Sequence, residues 1–152
     1  MSGNRTNFLL AQMTFWLLAA TDGHGKNFSL HHQIGGACEM TPQYDVLSAW
    51  PVIGHGKKQL PIEKAKLAMA VRGSNAHYRI HEIQAPHWKA LAESSGIPAM
   101  WKRVQDHVES VVPAIERVGA ALPDAFPERV YSTIGDGARS QVRRFAVAIR
   151  TA

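Results

Sequence analysis

Thr21-Asp22-Gly23-His24-Gly25-Lys26-Asn27-Phe28-Ser29 is a polar stretch that comes directly after the apolar run from Phe8 to Ala20. It brings an acid, two bases and an amide together within a few positions. A second acid, Asp45, follows in Thr41-Pro42-Gln43-Tyr44-Asp45, at the end of a predicted hairpin. One carboxylate to orient a hydroxyl, with an amide and a second carboxylate to hold a divalent metal ion, is the minimal set for phosphoryl transfer. The stretch therefore predicts a site of that chemistry.

The spacing within this stretch narrows the prediction. Protein kinases separate the catalytic Asp from the metal-binding Asn by five positions, and Asp22 and Asn27 have that separation. The kinase His-Arg-Asp signature is absent, because Ala20-Thr21 precede Asp22, and Tyr44-Asp45-Val46 stands in the place of Asp-Phe-Gly. The form Asp-x-His-x-x-Asn is closer to lipid kinases.

The polar stretch, together with Met40-Thr41-Pro42 and Tyr44-Asp45-Val46-Leu47-Ser48-Ala49, resembles the HipA toxin kinases. These are bacterial serine/threonine protein kinases of toxin–antitoxin pairs, with a lipid-kinase-like catalytic site. The resemblance continues through Lys66–Ala70 and Leu122–Glu128. It covers most of the chain but only the C-terminal lobe of the family. We therefore expect residues 1–152 to form one HipA-like C-terminal kinase lobe, with the N-terminal lobe absent.

The resemblance implies a role for each polar residue of the site. It makes Asp22 the catalytic group that orients the substrate hydroxyl, and Asn27 and Asp45 the ligands of Mg²⁺. The nucleotide, ATP, would be lined by His24, Lys26, Asn27, Tyr44 and Asp45. Gly25 and Gln43 stand where these kinases usually have alanine and leucine, and neither difference removes a functional group.

The family also implies partners. These are a HipB-like helix-turn-helix antitoxin, through which any contact with DNA would be indirect, and a protein substrate such as an aminoacyl-tRNA synthetase. The chain has no glycine-rich loop after a strand and no Val-Ala-Ile-Lys-like segment. It is therefore interpreted as one half of a split kinase completed by a separate N-lobe polypeptide, a degenerate remnant, or a truncated reading frame. The competing hypothesis is a catalytically inactive module that binds or regulates another protein.

Composition sets wider limits. A chain of 152 residues fits one domain with a sizeable core. The net charge of +5 suits an anionic partner such as ATP, nucleic acid or an acidic protein face, and equally an ordinary basic surface. The single cysteine, Cys38, excludes an internal disulfide, which fits a cytoplasmic protein. We expect it to be a buried, inert thiol in a strand. The run from Phe8 to Ala20 is too short to span a bilayer, so no membrane association is expected.

Periodicity predicts an α+β fold that is mainly helical, a kinase-like C-lobe with a small catalytic hairpin. A buried helix capped by Asn7 should run through Ala20. Two strands are predicted at 28–33 and 37–41, joined by a turn at 34–36. A helical turn is predicted at 44–49 and a second hairpin across 66–80. Further helices should begin near Pro86, near Pro98 and after the corner at 122–127.

Histidines and tryptophans have less specific roles. His24, His31 and His32 suggest zinc, but adjacent strand residues point to opposite faces, and the sequence has no supporting Cys-x-x-Cys or His-Glu-x-x-His. We interpret the strand histidines as partly exposed. Pro113 is expected to kink its helix. The tryptophans are interpreted as core residues: Trp16, Trp50, Trp88 and Trp101.

Overall fold

A computed structural model describes residues 2–150, which form four α-helices and two small antiparallel sheets. The fold is therefore α+β and mainly helical. The helices are α1 (Ser2–Leu17), α2 (Ala85–Ser94), α3 (Met100–Ala121) and α4 (Glu128–Arg150). The strands are β1 (Leu30–His32) with β2 (Cys38–Met40), and β3 (Lys66–Arg72) with β4 (Ala76–Arg79). None of the helices in this range is long and apolar enough to cross a membrane.

Helix α1 lies at the centre of the domain. Its residues Met13, Phe15, Trp16 and Leu17 are buried, which confirms the predicted enclosure for the C-terminal half of the helix; Phe8, which was expected to be enclosed as well, is 37% exposed. The Trp16 ring packs against Trp88 of α2 with ring centroids 5.9 Å apart, and its Nε1 donates a hydrogen bond to the carbonyl of Ile80. Helices α3 and α4 also pack against α1. Helix α1 therefore packs against each of the other three helices.

The start of α1 differs from the prediction. Asn7 is not an N-cap; it lies inside the helix, which already includes Ser2. The reason is a tertiary contact, because the Asn4 side chain donates to the carbonyl of Cys38 and accepts from the backbone N–H of Met40. Asn4 thus anchors the start of helix α1 to strand β2. The apolar periodicity did not include these polar residues in the helix, so it placed the helix start too late.

The first hairpin has the predicted position with shorter strands. Leu30 pairs with Met40 and His32 with Cys38, and the turn uses Gly35 and Gly36 at φ values of +96° and +85°. Glycine reaches this region without steric cost, which explains the turn. The burial predicted for Cys38 is wrong. The hairpin is too small to enclose either face, so the thiol is exposed, as are both strand histidines.

The second hairpin and the C-terminal helices follow the pattern more closely. Strands β3 and β4 pair across the turn at 73–75, with an irregularity between Lys66 and Val71. Helix α2 contains Pro86 in its first turn, and α3 runs through Pro113; the kink there stays a prediction. Two of the tryptophans, Trp16 and Trp88, are fully buried, whereas Trp50 and Trp101 are partly buried.

Candidate functional site

The polar loop begins where α1 ends, and that end is built without glycine. Ala19 adopts a left-handed conformation with φ of +50°. The N–H of Ala20 bonds to the carbonyl of Phe15, and that of Ala19 to the carbonyl of Trp16. This is the Schellman arrangement of a helix C-terminus. A non-glycine residue in this region costs about 1 kcal/mol, so the surrounding packing must hold the turn that releases the chain towards Asp22.

The segment after Asp45 supplies that packing. Carbonyl groups at a helix C-terminus have no partner within the helix. Here the Ser48 hydroxyl donates to Leu18 O at 2.6 Å, the Trp50 indole N–H to Leu17 O at 3.0 Å, and the backbone N–H of Ala49 to Ala19 O. The segment that follows Asp45 is therefore fixed against the helix end from which the Asp22 loop emerges.

Phenylalanine rings fix the loop from the other side. Gly23 is buried against Phe15, and a Cβ at this position would lie 2.5 Å from the ring. Phe28 packs between Phe8 and Phe15, with ring centroids 4.7 and 5.8 Å away. The loop is thus held at both ends by apolar contacts, while the Asp22 and Lys26 side chains face outward.

Asn27 is the buried centre of the site, with 5% of its surface exposed. It closes a short 3₁₀ turn over Gly25–Asn27. Its Oδ1 accepts a hydrogen bond from the backbone N–H of His24 at 3.1 Å, and its Nδ2 donates to Asp45 Oδ2 at 3.0 Å. The structure therefore brings together Asn27 and Asp45, which are 18 positions apart.

Asp45 is presented by strained backbone. The helical turn predicted over 44–49 is wrong: these residues are irregular, and Asp45 has a φ of +56°. The neighbouring Tyr44 hydroxyl lies 2.8 Å from the Ser29 hydroxyl and donates to the carbonyl of Lys26 at 3.2 Å. These bonds fasten the Tyr44-Asp45 segment to the polar loop, so local helix propensity is overridden by contacts across the site.

Asp22 belongs to the exposed part of the site. Its side chain is 81% exposed, and its Oδ1 lies 3.8 Å from His24 Nε2. The other ring nitrogen, His24 Nδ1, is buried without a hydrogen-bond partner among residues 2–150. Lys26 is exposed, and its backbone carbonyl is the acceptor for Tyr44. His24 thus lies near Asp22 with its ring, at a distance beyond hydrogen bonding, and bonds to Asn27 with its backbone N–H.

The donor set of the Asn27–Asp45 pair suits Mg²⁺. A carbonyl oxygen has two lone pairs, so Asn27 Oδ1 keeps one after accepting from His24, and Asp45 keeps its second carboxylate oxygen. Mg²⁺ usually takes one or two protein oxygens, with phosphate and water supplying the others. Within the described range no cluster of three or more His, Cys, Asp or Glu residues forms a metal cage. The two remaining oxygens are therefore of the chemical type that Mg²⁺ binds.

Ser29, Ser48 and Phe15 were not predicted as parts of the site. The first bonds Tyr44, the second closes the end of α1, and the third excludes any side chain at Gly23. Of these three residues, only Ser29 lies within the polar stretch 21–29, so only Ser29 could have been found from the local sequence. Ser48 acts across 30 positions, and the contact of Phe15 with Gly23 depends on the turn at the end of α1, so neither can be read from a local pattern.

These features define a mainly helical α+β domain in which the loop after a buried helix and the segment after a small hairpin form one amide–carboxylate site. A family model described as HipA-like C-terminal domain matches residues 2–119. The chain belongs to the HipA-like C-terminal domain family, as the sequence resemblance indicated. The matched region contains every predicted site residue, helices α1 and α2 and all but the last two residues of α3, whereas α4 lies beyond it.

Proposed function

We propose that this domain is the catalytic C-lobe of a HipA-type serine/threonine protein kinase toxin. Asp22 orients the hydroxyl of a protein serine or threonine. Asn27 and Asp45 hold Mg²⁺, and the nucleotide ATP lies against His24, Lys26 and Tyr44. When bound, the ion neutralises charge on the phosphate oxygens.

The observation that carries this proposal is the hydrogen bond between Asn27 and Asp45 beside an exposed Asp22. A structural loop would need no such pairing of an amide with a carboxylate held in left-handed backbone. Strain of this kind concentrates at functional sites. The exposure of Asp22 leaves its carboxylate accessible to a hydroxyl of another protein.

The other polar groups fit supporting roles. Lys26 is exposed on the same loop and supplies positive charge for phosphate oxygens. His24 orients the Asn27 amide through its backbone N–H, and its Nδ1 is buried with no hydrogen-bond partner in the described part of the chain. Tyr44 bonds to Ser29 and to the loop backbone, which keeps the Asp45 segment in position. Positioning of this kind supplies much of the rate enhancement in phosphoryl transfer.

A protein partner is part of the proposal. Leu30, Ile34 and Leu47, on or beside the first hairpin, expose 52%, 108% and 72% of their surface. Exposed apolar side chains mark an interface when they form one contiguous patch, and we propose that these three do. We assign this side to a separate N-lobe polypeptide that covers the nucleotide. A HipB-like helix-turn-helix antitoxin is the proposed regulator, and an aminoacyl-tRNA synthetase is a candidate substrate.

The second candidate is a catalytically inactive module that binds or regulates another protein. The same exposed apolar residues favour it, because they fit a partner whether or not phosphate is transferred. The two candidates differ in whether the Asn27–Asp45 pair holds a metal ion.

Mn²⁺ distinguishes them in the chain alone, since this paramagnetic ion replaces Mg²⁺ and broadens nearby NMR signals. We expect selective broadening of residues 22–29 and 44–46, reduced at least tenfold in Asp45→Asn because a charged ligand is lost from a dication. Asp106→Asn, which changes an exposed carboxylate paired with Lys102 on α3, is the matched control. Broadening that is absent, or unchanged in Asp45→Asn, would contradict the metal site.

Phosphoryl transfer is tested after an N-lobe is supplied in trans or by fusion. Asp22→Asn should lower γ-phosphate transfer by about a hundredfold or more and largely spare nucleotide binding, because the amide keeps the shape without the orienting carboxylate. Asp45→Asn should weaken Mg²⁺-dependent nucleotide binding. Calorimetry should find weak or no ATP·Mg²⁺ binding by the chain alone. A reconstituted parent without transfer, or full transfer in both variants, refutes the kinase assignment.

A further inference from the structure

A cavity of about 460 Å³ lies beside α4. Its polar lining includes Ser140, Arg143 and Arg144, and its apolar lining includes Ile83, Val147 and Ala148. Val147 is 61% exposed, so the apolar wall is accessible from solvent. The volume falls within the range typical of sites for small molecules. None of the residues assigned above to phosphoryl transfer lines this cavity.

Arg144 is a partly buried cation satisfied only by neutral groups. Its Nη1 donates to Gln141 Oε1 at 2.6 Å, and its Nη2 donates to the carbonyls of His81 at 2.6 Å and Ile83 at 3.4 Å. Burial lowers the pKa of this guanidinium. A guanidinium has five N–H donors, so these contacts leave part of the fork unused. Among residues 2–150 the charge meets no carboxylate and contacts only the face of the Trp16 ring, whose centroid is 6.0 Å from the guanidinium carbon.

Within the described residues, three other arginine or lysine side chains have acidic partners. Arg79 pairs with Glu82, Lys102 with Asp106, and Arg139 with Asp136. Among residues 2–150, by contrast, no carboxylate lies within 4.0 Å of Arg143 or Arg144. The cavity therefore combines two adjacent cations with no counter-charge from the described part of the chain.

The cationic wall is held in place by a buried polar side chain. Gln141 is only 1% exposed; its Oε1 accepts from Arg144, and its Nε2 donates to the carbonyl of Trp16 at 3.3 Å. Burying a polar group or a charge is costly unless it is hydrogen-bonded. An arginine that only had to cover the surface would need no such support. Gln141 instead fixes the orientation of the Arg144 guanidinium beside the cavity.

We propose that this cavity binds a small organic oxyanion, a carboxylate or a phosphate ester, attached to an apolar body. Arginine forks match both oxyanions with charge-assisted hydrogen bonds. Arg143 and the free edge of Arg144 contact the anion, with Ser140 as a further donor. The apolar body lies against Ile83, Val147 and Ala148. This site is independent of the proposed phosphoryl transfer.

The test is calorimetric titration of the full chain with phenyl phosphate and with phenylacetate. We expect saturable binding with one site per chain for at least one of them, and about tenfold weaker binding in Arg143→Gln, since one charge-assisted contact is lost. Arg139→Gln is the matched control, because Arg139 lies on the same helix, is paired with Asp136 and does not line the cavity. It should keep the parent affinity.

Comparison of the probes identifies the ligand chemistry. Tighter binding of phenyl phosphate assigns a phosphate ester, and tighter binding of phenylacetate assigns a carboxylate. Benzyl alcohol and inorganic phosphate, which each lack one half of the ligand, should bind more weakly than the better probe. Chemical-shift changes should map to Ile83, Ser140 and Val147. No saturable binding by either probe, equal losses in Arg143→Gln and Arg139→Gln, or shifts confined to another surface would overturn the proposal.

Discussion

Substitution of Gly23 tests whether the polar loop is fixed by its contact with α1. A Cβ at Gly23 would lie 2.5, 2.7 and 2.8 Å from three atoms of the Phe15 ring. Such distances are far below ordinary carbon–carbon contact, so the ring or the loop must move. The ring has little freedom, because Phe15 is 3% exposed and also packs against Phe28.

The magnitude follows from two opposing terms. Overpacking of a filled interior costs about 1–3 kcal/mol, whereas replacing glycine restricts the unfolded chain and returns about 0.4–1 kcal/mol. Taking the middle of each range, Gly23→Ala should therefore lower the free energy of unfolding by roughly 1 kcal/mol. Gly25→Ala is the matched control in the same loop. A Cβ there meets nothing within 4 Å, so its stability should be unchanged or slightly higher.

Urea unfolding of the two variants measures this difference, and a double-mutant cycle assigns its cause. Phe15→Leu makes room beside Gly23, so the pair Gly23→Ala with Phe15→Leu should be less destabilised than the sum of the single changes, by about 1 kcal/mol. If Gly23→Ala is as stable as Gly25→Ala, or the two changes are additive, the ring does not fix the loop and the argument fails.

Two further predictions concern the site and pH. Asn27→Ala should lower the free energy of unfolding by about 2–4 kcal/mol, because it removes one neutral and one charge-assisted hydrogen bond from a buried position; urea unfolding that shows a loss no larger than in the exposed control Asn7→Ala would contradict this. Burial lowers the pKa of His107, and burial followed by the charge of His77 lowers that of His87. Neutral histidine is thus favoured in the native state, so this stabilisation is present above the unfolded pKa of about 6.5 and is lost as pH falls through the folded pKa. The urea concentration at the midpoint of unfolding should decrease as the pH is lowered from 7.5 to 5, and this decrease should be smaller in His107→Gln. An unchanged pH profile in that variant would refute the assignment of the decrease to His107.

The centre of the candidate site was predictable from the sequence, because its residues lie close together along the chain. Asp22, His24 and Asn27 share one loop, and the glycine turn of the first hairpin returns the chain so that Asp45 meets Asn27. The family match covers these positions. What a local pattern could not supply is the backbone conformation of Asp45, which depends on contacts made by the residues around it.

Tertiary contacts explain the errors. Asn7 has good capping chemistry, but Asn4 bonds to β2 and draws the helix start towards the N-terminus. The segment at 44–49 is apolar enough to suggest a helical turn, but Ser48 bonds to the end of α1 instead. Burial of Cys38 was inferred from strand propensity, which does not report how many layers cover a two-stranded sheet.

The exposure of Cys38 makes the chain suitable for site-specific labelling. It is the sole cysteine of the sequence, so a maleimide fluorophore would attach at one place without removal of other thiols. That place is on β2, whose backbone is tied to Asn4 and whose hairpin precedes the Tyr44-Asp45 segment. Emission from such a dye would report directly when another polypeptide covers the hairpin, and would allow its affinity to be measured at nanomolar concentrations of this chain.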